Sequence, residues 1–108
     1  MLEENPYNAG DEGQVKTRRR KLDIAREREL DELRFIMADP AGRRFIWRLL
    51  GITGIHRSSF NSNALTMAHN EGQRNLGLML EAELMEAGVD TYLLMQSEAI
   101  KTKEEANG

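Results

Sequence analysis

Lys16, Arg18, Arg19, Arg20 and Lys21 put five cations into six residues, the densest charge in the chain. Clustered cations neutralise phosphates and release counterions, so the run is a candidate contact for nucleic acid. Asp23, Glu27, Glu29, Asp31 and Glu32 follow it, and on a helix Asp23 lies within one turn of Arg19 and Arg20. No aromatic residue interleaves the cations to stack on bases. A solvated or protein-docking face is therefore the expected reading, with DNA contact as the alternative.

A second concentration of chemistry lies in "DPAGRRFIWRLLG", residues 39–51. Arg43 and Arg44 stand at the start of a helix, where the macrodipole disfavours cations, so they call for an acidic partner. Asp39 is the nearest. No glycine-rich loop precedes them to cradle a phosphate, and Trp47 reads as a core residue. His56 and His69 are the only histidines, and without cysteine or metal-ligand spacing they imply no metal site and no cofactor. Ser58 and Ser59 adjoin His56 but have no third group to orient a nucleophile, so no enzyme is expected.

"HNEGQRN", residues 69–75, places a glycine and several polar side chains within the longest apolar helix. Because buried polar groups must be paired, we expect a polar knot in which Glu71 or Asn75 receives Arg43 or Arg44, with Arg74 pointing to the surface or into another acidic neighbour. The alternative is a recognition surface for another chain.

The elements that carry these residues are all helical. Apolar residues recur at three- and four-residue steps, no strand-like alternation persists, and no internal repeat is present. The periodicity predicts an all-α bundle of four helices, at about 14–38, 40–50, 62–87 and 91–104. A flexible arm is expected at 1–13 and a frayed tail at 105–108. The predicted buried faces are Leu22, Ala25, Leu30, Leu33, Ile36 and Met37 in the first helix, and Phe45, Ile46, Leu49 and Leu50 in the second. The third should bury Leu65, Ala68, Gly72, Leu76, Met79, Leu80 and Leu84, and the fourth Tyr92, Leu93, Met95, Ala99 and Ile100. Ile52, Ile55 and Phe60 should pin the loop. Gly72, and after it Gly77, is read as a point of close helix approach.

With 108 residues, 40% of them hydrophobic but only 6% aromatic, the chain suits one helical domain. The net charge of −3 is segregated: residues 16–57 carry twelve cations against six anions, while residues 58–108 carry three against eight. Such asymmetry favours docking of one end on the other end of a neighbour, or on nucleic acid. There is no cysteine, no apolar run of membrane-spanning length and no cationic, apolar leader in "MLEENPYNAGDEG". The expected location is the cytoplasm of the producing cell or a particle assembled there, with no membrane partner.

Two segments, "FIMADPAGRRFIWRLLGITGI" and "SSFNSNALTMAHNEGQRNLGLML", resemble a family of small tailed-phage proteins, the Bbp-type phage domain named from a Bordetella podophage. The resemblance spans about residues 35–85. Gly42, Arg43, Arg44, Phe60, Glu71, Gly72, Arg74 and Asn75 match its pattern, with Trp47 beside them as a structural position. It implies a virion structural or morphogenesis protein with no catalytic residues to carry over. The expected partners are other virion proteins, at the portal, the neck or inside the head, or copies of the chain itself. A nucleic-acid-binding module and a transient scaffold for capsid assembly are the rival functions.

Overall fold

Asp39 and Pro40 end one helix and start the next. Asp39 is extended, at φ −105° and ψ 133°, and its carboxylate accepts a hydrogen bond from the Ala41 amide at 3.0 Å, while Pro40 occupies the first helical turn. Similar punctuation divides the rest of the chain. The computed structural model describes residues 9–108 and contains four helices, α1 (Ala9–Met37), α2 (Pro40–Thr53), α3 (Ala64–Ala87) and α4 (Val89–Asn107). No strand occurs among the described residues.

Helix α2 closes at Gly54, whose φ of 75° is the left-handed geometry that glycine adopts without cost. Asn63 caps α3 by accepting from the Thr66 amide at 3.0 Å. Gly88 separates α3 from α4 in an extended conformation, and Asp90 lies within the first turn of α4. There its charge complements the helix dipole.

The ends of the bundle are more helical than expected. Helix α1 starts at Ala9, not near residue 14, with Asp11 and Glu12 in its first turn; the remainder of the expected arm, residues 1–8, lies outside the described residues. Helix α2 runs through Gly51 to Thr53, and α4 continues through most of the expected tail.

Met37, Ile46, Leu50, Ile55, Leu84, Tyr92 and Met95 form the core, with Leu33, Trp47 and Leu80 packed against it. Helices α2 and α3 each touch the other three. Two glycines allow these approaches: a Cβ on Gly42 would collide with the Ile36 carbonyl, and one on Gly77 with the side chains of Thr53 and Ile55. Gly77 is thus the contact point on α3, whereas Gly72, expected to be the principal one, faces open space.

Several residues expected inside are outside. Leu22 of α1, Phe45 of α2, Leu93 and Ile100 of α4, and the loop residues Ile52 and Phe60 are exposed. On α3, Leu65, Ala68, Leu76 and Met79 are exposed with Gly72, and burial begins at Gly77 and Leu84. Helical period identifies an apolar stripe but not whether a neighbour within the chain covers it.

The molecule is correspondingly open. Its radius of gyration is 20.8 Å, against about 13 Å for a compact domain of this length. The backbone is only 15 Å thick in its shortest direction, enough for no more than two helices at an interaxial distance of about 10 Å. Its accessible surface is 8450 Å², compared with about 6,100 Å² for a folded monomer of this mass.

Candidate interaction surface

The best-ordered polar contact joins α2 to α4. The buried Arg43 guanidinium donates through Nε to Glu98 Oε1 at 2.7 Å and through Nη2 to Oε2 at 3.0 Å, while Nη1 donates to the Met37 carbonyl at 2.8 Å. One side chain thereby ties together the end of α1, the start of α2 and the middle of α4. The hydrogen bonds from Arg43 hold the Glu98 carboxyl below the usual carboxylate range, and Glu98 in turn raises Arg43. Asp39, the expected acidic partner, is committed to the Ala41 cap.

Arg44 is exposed, and with Trp47, Arg48, Met95, Ala99 and Lys101 it lines a groove of about 580 Å³ between α2 and the last turns of α4. Trp47 is half-buried against the core, and its ring lies 5.3 Å from that of His56. Two further arginines clamp α1 onto α3: Arg26 binds Glu83 and Glu86, and Arg34 Nε donates to the Ala87 carbonyl at 2.7 Å. Beneath them the Tyr92 hydroxyl donates to Glu81 Oε2 at 2.5 Å, and burial with this bond pushes the phenol up to about 12.

The expected polar knot does not form. Glu71 lies 4.0 Å from Arg74, one turn along the same helix, and Arg43 goes to Glu98 and the Met37 carbonyl, so neither Glu71 nor Asn75 receives it. Asn75 is exposed, as are Phe60 and His69, and Ser58 is occupied in accepting from the Phe60 amide. The "HNEGQRN" segment instead sits at the surface, in keeping with the alternative of a recognition face.

Lys16, Arg18, Arg19, Arg20 and Lys21 are all exposed, on a half of α1 where residues 12–25 bury nothing. None of the ion pairs among the described residues involves them. No group of acidic, histidine or cysteine side chains among the described residues is arranged to hold a metal, and no described helix is long and apolar enough to cross a membrane.

Sequence reasoning missed Glu98. It is 55 residues from Arg43, but it adjoins Met95 and Ala99 on the inner side of α4, and a carboxylate at the edge of an apolar stripe was the available signal. What the helices bring together is thus a set of internal clamps, surrounded by open apolar and basic surface.

A family model described as Bbp19-like phage protein matches residues 33–97, from the last turn of α1 to the residue before Glu98. No curated protein and no solved structure matches the chain.

Proposed function

The chain belongs to the Bbp19-like family of phage proteins, and from that premise we propose that it is a non-enzymatic virion or morphogenesis component that works by docking. It engages a larger virion protein, at the portal and neck or inside the head, or further copies of itself. The observation that carries this reading is the uncovered apolar surface: Phe35, Phe45, Phe60, Leu65, Leu76 and Met79 all lie more than half exposed on a thin, open array of helices. Leu65, Leu76 and Met79 share one face of α3, and apolar surface gathered in this way marks sites that another protein covers. The polar groups that the fold does bring together, Arg43 with Glu98 and Tyr92 with Glu81, bind one another and so serve as braces between helices.

Charge segregation supports the same mode. The basic half of α1 and the acidic residues of α3 and α4 are complementary patches, which steer and register subunits more than they tighten them. Gradient fractionation of phage-infected cells, with the chain quantified by mass spectrometry, tests the proposal. Co-migration with proheads or finished particles at a fixed ratio to the portal protein is the expected result. Retention in proheads but loss from finished particles would assign the scaffold role, and absence from both would overturn the reading.

The second reading, nucleic-acid binding, is favoured by one observation: the five cations from Lys16 to Lys21 are presented on a free stretch of helix. It predicts DNA affinity that falls steeply with salt and disappears when Arg18, Arg19 and Arg20 are neutralised. No binding at low salt would remove it.

A further inference from the structure

Leu65, Ala68, Gly72, Leu76 and Met79 follow one another at steps of three and four, so they share one strip of α3 about 21 Å long. Leu65 is 84% exposed, Leu76 64% and Met79 65%. A Cβ added to Gly72 would meet nothing within 4 Å. Helix α3 is buried at Gly77, Leu84 and Ala87; Gly77 and Leu84 point more than about 100° from Gly72 around the helix, and Ala87 lies about two turns beyond the end of the strip. We propose that the strip is the contact face between two copies of the chain, with their α3 helices antiparallel and the two-fold axis passing at Gly72. The proposal rests on the docking reading above and names a second copy as the partner.

The spacing is palindromic. Leu65 and Met79 stand seven residues on either side of Gly72, and Ala68 and Leu76 stand four on either side. An antiparallel copy therefore sets Leu65 against the partner's Met79 and Ala68 against the partner's Leu76, large beside small along the seam. At the centre the two Gly72 backbones can approach most closely. A parallel copy would set Ala68 and Gly72 against themselves and leave a gap beside two pairs of large side chains. A face that matches itself only after a two-fold rotation is the signature of an isologous interface.

The borders of the strip suit the same arrangement. Between Ala64 and Leu80 the only charged residues are Glu71 and Arg74, one of each sign, so the segment carries no net charge into the contact. Glu71 and Asn75 flank one side and His69 and Gln73 the other. Two-fold pairing brings Glu71 beside the partner's Asn75 and His69 beside the partner's Gln73. The chain as a whole, the free half of α1 included, exposes roughly 2,300 Å² more than a compact monomer of its mass would, and a stable interface takes about 800 Å² from each partner, so the contact takes in the flanks of the strip as well as its apolar centre.

Because the chain has no cysteine, introduced cysteines report the geometry alone. Under mild oxidation Gly72→Cys should cross-link to itself, Leu65→Cys should not, and Ala68→Cys mixed with Leu76→Cys should give the mixed dimer. In sedimentation equilibrium the unmodified chain should have twice the monomer mass. Leu76→Glu, which alters only an exposed side chain, should halve that mass with its helical circular dichroism unchanged. Self-cross-linking of Leu65→Cys as readily as Gly72→Cys, or a monomeric unmodified chain, would overturn the proposal. Were a monomeric chain still to co-migrate with particles, the two-fold contact would fall while the docking reading stood.

Discussion

Removing the Arg43 guanidinium leaves the Met37 carbonyl and the Glu98 carboxylate without their buried donor. Arg43→Ala should therefore lower folding stability by about 2 kcal/mol, the scale of charge-assisted hydrogen bonds lost together, as read from urea denaturation midpoints. Arg43→Lys should restore only part of this, because an ammonium cannot serve Glu98 through two parallel bonds and reach Met37 as well. The pair also fixes a pH response. Arg43 lowers the Glu98 carboxyl below its unfolded value, so its contribution is complete above the ordinary carboxylate range and is lost as pH falls through the lowered value. Wild-type and Glu98→Gln proteins should differ in midpoint near neutrality and converge in acid. The need for an acidic partner at Arg43 was legible from its place at a helix start. Which acid it takes was not, because Asp39 faces two demands and the backbone amide of Ala41 wins it, leaving Arg43 to a residue on another helix.

At the scale of the element, the breaks at Asp39–Pro40 and Gly88 were the most legible, since each carries a local reason to stop or start a helix, whereas the start of α1 and the ends of α2 and α4 run past the expected bounds. The glycines within α3 were misordered for a physical reason. Period tells that Gly72 lies among apolar residues, but only the third dimension tells that Thr53 at the end of α2 and Ile55 just after it crowd Gly77 instead. The two should respond oppositely to the same change in thermal unfolding. Gly77→Ala should destabilise the protein by roughly 1–3 kcal/mol through overpacking. Gly72→Ala, compared at dilutions where copies are apart, should stabilise it by up to about 1 kcal/mol through helix propensity. Arg18, Arg19 and Arg20 are exposed and take part in none of the ion pairs among the described residues, so converting them to glutamine should leave the midpoint within about 0.5 kcal/mol of wild type.

For the whole molecule, the sequence indicated helices of the right number and order, but not how few layers they build. Each apolar stripe was assigned to a core because a stripe facing a neighbouring helix and one facing a neighbouring molecule have the same period. The core is small and gathered around α2, and the remaining stripes of α1, α3 and α4 stay open. An array 79 Å long and 15 Å thick leaves Phe35, Leu65, Leu76 and Met79 more than half exposed, and the proposed docking role is the reading under which these residues are covered. Hydroxyl-radical footprinting of the chain free in solution and within isolated phage particles or proheads tests this most directly. The account predicts that Phe35, Leu65, Leu76 and Met79, reactive in the dissociated chain, become protected in the particle. Equal modification of these residues in both states would contradict it.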